Sequence, residues 1–166
     1  NILMIPIIDI QNTIATFAGQ NMGARQPERV SKGLGQGVLV SFLMTAALCV
    51  CQLLGMELII RAFKLDAAAA AICRQHLFAS VLSEPIFAIY FPANGMFQGV
   101  GEGFHATFYA LMALGLRVVF AYSLYRTAFF GYTAIWWSQA MAWTLTLVTC
   151  YAHFFHGKWK EKSLVS

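Results

Sequence analysis

Charge is what this chain has least of. Of 166 residues, seven are Asp or Glu and 11 are Lys or Arg, 11% together, against about 25% in an average soluble domain. No charged residue occurs in 33–55, in 104–116 or in 131–157. These stretches also lack the polar face, repeating every 3.6 residues, that a soluble amphipathic helix carries. A bilayer core about 30 Å thick needs about 20 apolar residues as helix, and the chain supplies that length several times over. A soluble domain is excluded. A net charge of +4 spread over loops and tail supplies no basic stripe, so no nucleic-acid partner is expected.

Other absences narrow the chemistry. There is no Cys-x-x-Cys. Cys49 and Cys51 point to different faces of a helix and cannot pair, so the four cysteines, with Cys73 and Cys150, read as small apolar residues inside helices. The run Gly-Val-Gly-Glu-Gly over 99–103 follows no strand and is not a dinucleotide fingerprint. Without a phosphate-binding Gly-Lys-Ser/Thr loop, ATP is not expected to drive the protein. No Ser/His/Asp or Cys/His arrangement points to an enzyme. His153 and His156 share a helix face, but two histidines without a third ligand make a poor metal site, so no metal and no cofactor is expected.

Present instead are five apolar segments, at about 2–18, 34–60, 67–98, 104–125 and 132–155. The expected fold is all-α, a polytopic membrane bundle of about five transmembrane helices, with 158–166 as a cytoplasmic tail. Between the first two segments, 19–33 reads as a polar loop in which Pro27 and Glu28 suit the first turn of a short amphipathic helix. Pro85 and Pro92 inside the third segment predict a kink or local break. The chain begins with Asn1 in an apolar stretch that has no basic n-region and no small-residue cleavage site. It therefore reads as a fragment of a longer protein, cut inside a membrane helix.

Loop charge predicts orientation. Arg25, Arg29 and Lys32 lie in 19–33, and Lys158, Lys160 and Lys162 lie in the tail. Arg61, Lys64 and Arg126 fall on the other side of a five-span chain. Six against three places loop and tail in the cytoplasm. Trp136, Trp137 and Trp159 near span ends fit interfacial aromatics. The protein is expected to be integral to the cell membrane, plasma or inner.

Glu84 stands mid-span, about 20 Å from either helix end. A bare carboxylate there costs at least about 3 kcal/mol, so it is protonated, paired or facing water. One reading is a protonation or cation-coupling site, with Pro85 freeing a backbone carbonyl one turn back as a further acceptor. The other is a hydrogen bond to a neighbouring helix, as structural glue. Asp9, followed by Gln11 and Asn12, is either a polar cavity-lining cluster or a helix end open to water. Arg74 reads as snorkelling to the outer interface, and His76 as a packing residue. Tyr90, Phe91, Met96 and Phe97 are the residue types that line adaptable pockets for apolar cations, and are also ordinary in membrane helices.

Three stretches together resemble the multidrug and toxic compound extrusion (MATE) family. The first, GQNMGARQPERVSKG, carries Gly19, Gln20, Gly23, Ala24, Glu28 and Arg29. It is similar to the family's Gly-Gln-x-x-Gly-Ala loop and the Glu-Arg segment after it. The second, NGMFQGVGE, with Asn94, Gly95, Gly99 and Gly101, resembles its Gly-x-Leu-x-Gly-x-Gly-Asp turn, with Glu102 where Asp is usual. The third, LRVVFAYSL, with Arg117, resembles its Leu-Arg-Ile-Pro-Leu-Ala-Tyr stretch, with Val118–Val119 at the usual Pro. The resemblance implies helices eight to twelve of a twelve-helix transporter, residues 1–157 being a partial C-terminal lobe. Helix seven and the N-terminal lobe would then be the missing partners. It also implies an antiporter that exports drug-like or organic cations in exchange for protons or sodium by alternating access between two lobes. Glu84 and Asp9 become the cation-coupling candidates, and Gln11, Asn12, Tyr90 and Asn94 the cavity-lining ones. The piece alone is expected to be inactive. A lipid or polysaccharide exporter of the same superfamily and a non-functional truncated remnant are the alternatives.

Overall fold

The computed structural model describes residues 4–127 and 130–161. The first two residues of the first expected span, and Lys162 with the rest of the tail, lie outside the described residues. Five long helices follow one another: α1 (Ile5–Gly23), α2 (Pro27–Ala62), α3 (Ala67–Gly99), α4 (Gly103–Tyr125) and α5 (Ala134–His156). A 3-10 turn, Gly131–Thr133, leads into α5, and another, Lys158–Glu161, follows it. Among the described residues there is no strand. Three helices, α2, α3 and α4, are long and apolar enough to cross a membrane.

α3 is the axis of the bundle and touches all four other helices. Its start is set by Asp66, whose carboxylate accepts from the Ala69 amide at 2.7 Å, a helix N-cap. Its end, like those of α1 and α2, is a left-handed turn. The Glu102 amide donates to the Phe97 carbonyl, Gln26 to Asn21 and Leu65 to Ile60, the bond that closes a Schellman motif. The turn residue is Gly101 after α3, but Arg25 after α1 and Lys64 after α2, at φ of 56° and 50°. A side chain there costs about 1 kcal/mol or more. Lys64→Gly is therefore expected to stabilise the protein by about 0.5–1 kcal/mol, read as a higher melting temperature in detergent.

The loop expected over 19–33 shrinks to three residues. Gly19, Gln20 and Gly23 continue α1, Ala24 caps it, and Glu28 and Arg29 lie in the first turn of α2. Packing outweighs the poor helix propensity of glycine here. A Cβ on Gly19 would stand 3.2 Å from the Gly99 carbonyl oxygen, and one on Gly33 would enter the Phe17 ring. The short amphipathic helix expected at Pro27 is likewise no separate element. Gly33 stays helical under Phe17, so the segment runs into the next span as one helix of 36 residues, about 54 Å long. Neither Pro85 nor Pro92 interrupts α3.

The close crossing of α1 over α3 is made by glycine. A Cβ on Gly95 would collide with the Gln11 carbonyl oxygen, and one on Gly99 with that of Ala15. Along α5, Ala134, Ser138, Ala142, Thr146 and Cys150 recur every fourth residue, all with 0% exposure. Small residues at this spacing let membrane helices approach closely. At one end of the bundle, Met22, Val30, Val100, Ala106 and Trp159 share a single core cluster. The described part of the tail therefore lies at the same end of the bundle as the α1–α2 turn. Trp159 is not interfacial as expected: it is buried, stacks on Phe154 and donates its indole N–H to the Phe154 carbonyl at 3.0 Å.

Candidate functional site

Glu84 sits midway along α3, half-buried and facing α2. Pro85 has no N–H, so the carbonyl of Val81 lacks its helical donor. The Cys49 thiol fills the gap between the helices, 3.8 Å from that carbonyl oxygen and 3.0 Å from Glu84 Oε2. Three residues along α2, and so on the same face, the Gln52 amide nitrogen reaches Oε1 at 3.0 Å and Oε2 at 3.3 Å, in the orientation that satisfies both groups. The carboxylate thus has two neutral donors. Among the described residues no cation lies within ion-pair distance of it.

Glu84 lines an open cavity of about 450 Å³. One wall is aromatic: Phe87, Phe91 and Trp143, with Trp143 edge-on to Phe87 at 5.4 Å and stacked on Phe91 at 5.9 Å. Polar groups complete it, namely Gln52, His76, Ser80, Gln139 and Arg117. The cavity joins all five helices, since Met4, at the N-cap of α1, also borders it. Its residues lie toward the start of α1 and α5 and the end of α4, away from the end that holds Trp159 and the α1–α2 turn.

The other expected residues go elsewhere. Asn94 and Tyr90 are not among the residues lining this cavity; Asn94 is buried at the junction of α1, α3 and α4, and Tyr90 is buried on α3 against Trp143 of α5. Asn94 Oδ1 accepts from Gln11 at 3.1 Å and from Gln98 at 2.7 Å. Its amide nitrogen donates to the Tyr90 hydroxyl and to the Ala106 carbonyl, both at 2.9 Å. All four of its hydrogen-bonding positions are filled, which makes it a structural hub, and Gln11 belongs to that hub. Met96 and Phe97 are fully buried beside it, and of the expected aromatic pocket only Phe91 reaches the cavity.

Asp9 and Asn12 are exposed on α1, in line with Thr13, Thr16 and Gln20. These recur at helical spacing and form one polar stripe with no partner helix among the described residues. Arg74 is half-exposed and paired. Its Nε and Nη2 donate to Glu57 Oε1 and Oε2 at 2.8 and 3.0 Å, a two-pronged pair between α2 and α3. His76 is exposed on the cavity rim, its ring 5.4 Å from that of Trp136.

A family model described as MatE matches residues 1–123. The chain belongs to the MatE family. The match spans α1 to near the end of α4, and so contains Glu84, Asp9, Arg117, the first two motif stretches and all but the last residue of the third. MatE proteins are helical membrane transporters rather than enzymes, and the three apolar helices agree with an integral membrane protein. Comparison with curated proteins and with solved structures gives no match.

Sequence reasoning missed the partners of Glu84. Cys49 passes for packing, and Gln52 is one amide in a charge-free run. The available signal was their spacing of three, which puts two donors on one face of α2. Sequence reasoning also left one side-chain cluster unassembled. Glu102 and His105, three apart at the start of α4, meet His153 of α5, with the ligand atoms within 4.8 Å of one another.

Proposed function

We propose that this chain is part of a secondary active antiporter, which exports drug-like or organic cationic compounds in exchange for protons or sodium. The observation that carries the reading is one cavity holding the mid-span carboxylate Glu84, an aromatic wall and a fixed cation, Arg117. Ionised Glu84 and the rings of Phe87, Phe91 and Trp143 attract an organic cation. When a proton or a sodium ion neutralises Glu84, the charge of Arg117 remains and repels the organic cation, strongly so in a site of low dielectric. One site then holds either ion or drug, which is what exchange requires. For sodium, the Ser80 hydroxyl and the Gln139 amide oxygen supply hard oxygen ligands in the same cavity as the carboxylate.

The polar stripe of Asp9, Asn12, Thr13, Thr16 and Gln20 supports a second water-filled surface. Such groups facing lipid are costly, so α1 would border a central path shared with an N-terminal lobe, and Asp9 would be a second cation-attracting carboxylate. In this arrangement α1 and α5 also cross the bilayer of the plasma or inner membrane. The α1–α2 turn and tail would be cytoplasmic by the positive-inside rule. A lipid or polysaccharide exporter would need a basic cavity. With Arg74 held by Glu57, Arg117 is the only Lys or Arg among the described residues that lines the cavity.

The test is ethidium transport in inside-out vesicles that contain the intact transporter. An imposed proton or sodium gradient should drive ethidium into the vesicles, and an ionophore that collapses the gradient should stop it. Transport that persists without either gradient overturns the reading.

A further inference from the structure

Away from the cavity, at the end of the bundle near Trp159, three potential metal ligands converge from three places in the chain. Glu102 lies in the turn between α3 and α4, His105 in the first turn of α4, and His153 in the last turn of α5. Glu102 has a side chain only 9% exposed, and its Oε2 lies 2.7 Å from His105 Nδ1 and 3.6 Å from His153 Nε2. We propose that Glu102, His105 and His153 form a binding site for a divalent transition-metal ion of the zinc class, which clamps the α3–α4 turn to the end of α5.

The ligand set is right for such an ion. Two imidazole nitrogens and one carboxylate oxygen, with a water in the fourth position, make the usual three-ligand zinc site, and imidazole selects against magnesium and calcium. Bonds of 2.0–2.2 Å to a tetrahedral ion put ligand atoms about 3.4 Å apart. The observed 2.7 and 3.6 Å straddle that value, so side-chain shifts of about 1 Å seat the ion.

The surroundings orient the ligands. The Tyr109 hydroxyl lies 2.7 Å from His153 Nδ1, and Phe97 stacks on the same imidazole with planes 12° apart. A contact on the far ring nitrogen holds the direction of the ring, as ligating histidines require, and leaves Nε2 facing the Glu102 carboxylate oxygen at 3.6 Å. A second observation is Glu102 itself, a carboxylate nine-tenths buried and aimed at both rings.

The test is titration of the intact purified protein in detergent with Co²⁺, followed through its visible d–d absorption, with Zn²⁺ as competitor. One Co²⁺ per chain with four-coordinate bands, displaced by Zn²⁺, is expected. His153→Ala and Glu102→Gln should each weaken binding at least about tenfold, and Tyr109→Phe about tenfold or more through the second shell. His156→Ala should leave it unchanged. His105 is nearly half exposed, so His105→Asn keeps the fold and should weaken binding as strongly as His153→Ala. Absence of four-coordinate Co²⁺ bands at millimolar metal, or unchanged affinity in the His105→Asn protein, overturns the site and leaves a carboxylate–imidazole pair as structural glue.

Discussion

Glu84→Gln is expected to reduce gradient-driven export by the intact transporter to background while leaving its amount in the membrane unchanged. The amide keeps the shape of the side chain: its oxygen can accept from the Cys49 thiol and its nitrogen can donate to the Gln52 amide oxygen once that amide turns over, at the two positions where the carboxylate oxygens are approached at 3.0 Å. Packing between α2 and α3 therefore survives. What disappears is the charge that a proton or sodium ion neutralises, and with it the attraction for an organic cation beside Phe87, Phe91 and Trp143. A neutral side chain at this depth is also cheaper to bury than a carboxylate, so the variant should be at least as stable as the parent. Export rate and protein level measured on the same membranes separate the two effects. Wild-type export in the variant would assign Glu84 to structure alone. Cys49→Ala removes one donor and leaves the charge, so it should alter export far less.

The second large effect lies on the motif glycines. Gly95→Val and Gly99→Val should each deplete folded protein several-fold in the membrane and lower its melting temperature in detergent. Each side chain would meet a backbone oxygen of α1, that of Gln11 or of Ala15, and a backbone atom in a helix cannot swing aside as a side chain can. Overpacking of this kind costs about 1–3 kcal/mol, occasionally more. Separating α1 from α3 would also pull Gln11 away from the buried Asn94 and leave an amide short of a partner, at about 1–3 kcal/mol. Gly35 is the control, since a Cβ there meets nothing within 4 Å. Gly35→Ala should be neutral or stabilising by up to about 1 kcal/mol. Equal expression and melting of Gly35→Ala and Gly99→Val would show that the α1–α3 crossing does not depend on glycine.

Local signals in the sequence carried well. The third helix, expected over 67–98, is observed as Ala67–Gly99, because an N-cap Asp66 and a left-handed Gly101 mark its ends with short-range chemistry. The stretch 19–33 misled for a physical reason. Gly19, Gly23 and Gly33 read as breakers one at a time, yet Gly19 and Gly33 lie where α3 and Phe17 fill the space a Cβ would take. That is tertiary information. The site divides in the same way. Glu84 stood out because a carboxylate in mid-membrane is conspicuous on its own. Its donors are 35 and 32 residues away in sequence and look like ordinary helix residues. Asn94 stood out as a polar residue in a membrane helix and was assigned to a cavity. Only the contacts of Gln11, Tyr90, Gln98 and Ala106 show that it holds helices together. Glu102 and His105 are legible as an i, i+3 pair, whereas His153 joins them only through the packing of α5 on α4.

The measurement that bears most directly on exchange at Glu84 is ion release on substrate binding. The intact transporter, purified in detergent at neutral pH in weak buffer, is titrated with ethidium while a pH dye and a sodium electrode record the solution. If one site holds either ion or drug, each ethidium bound should displace a proton or a sodium ion in fixed proportion, and the Glu84→Gln protein should release none. Ethidium binding to the unaltered protein without release of either ion, or equal release from the Glu84→Gln variant, would contradict the assignment of Glu84 as the coupling carboxylate.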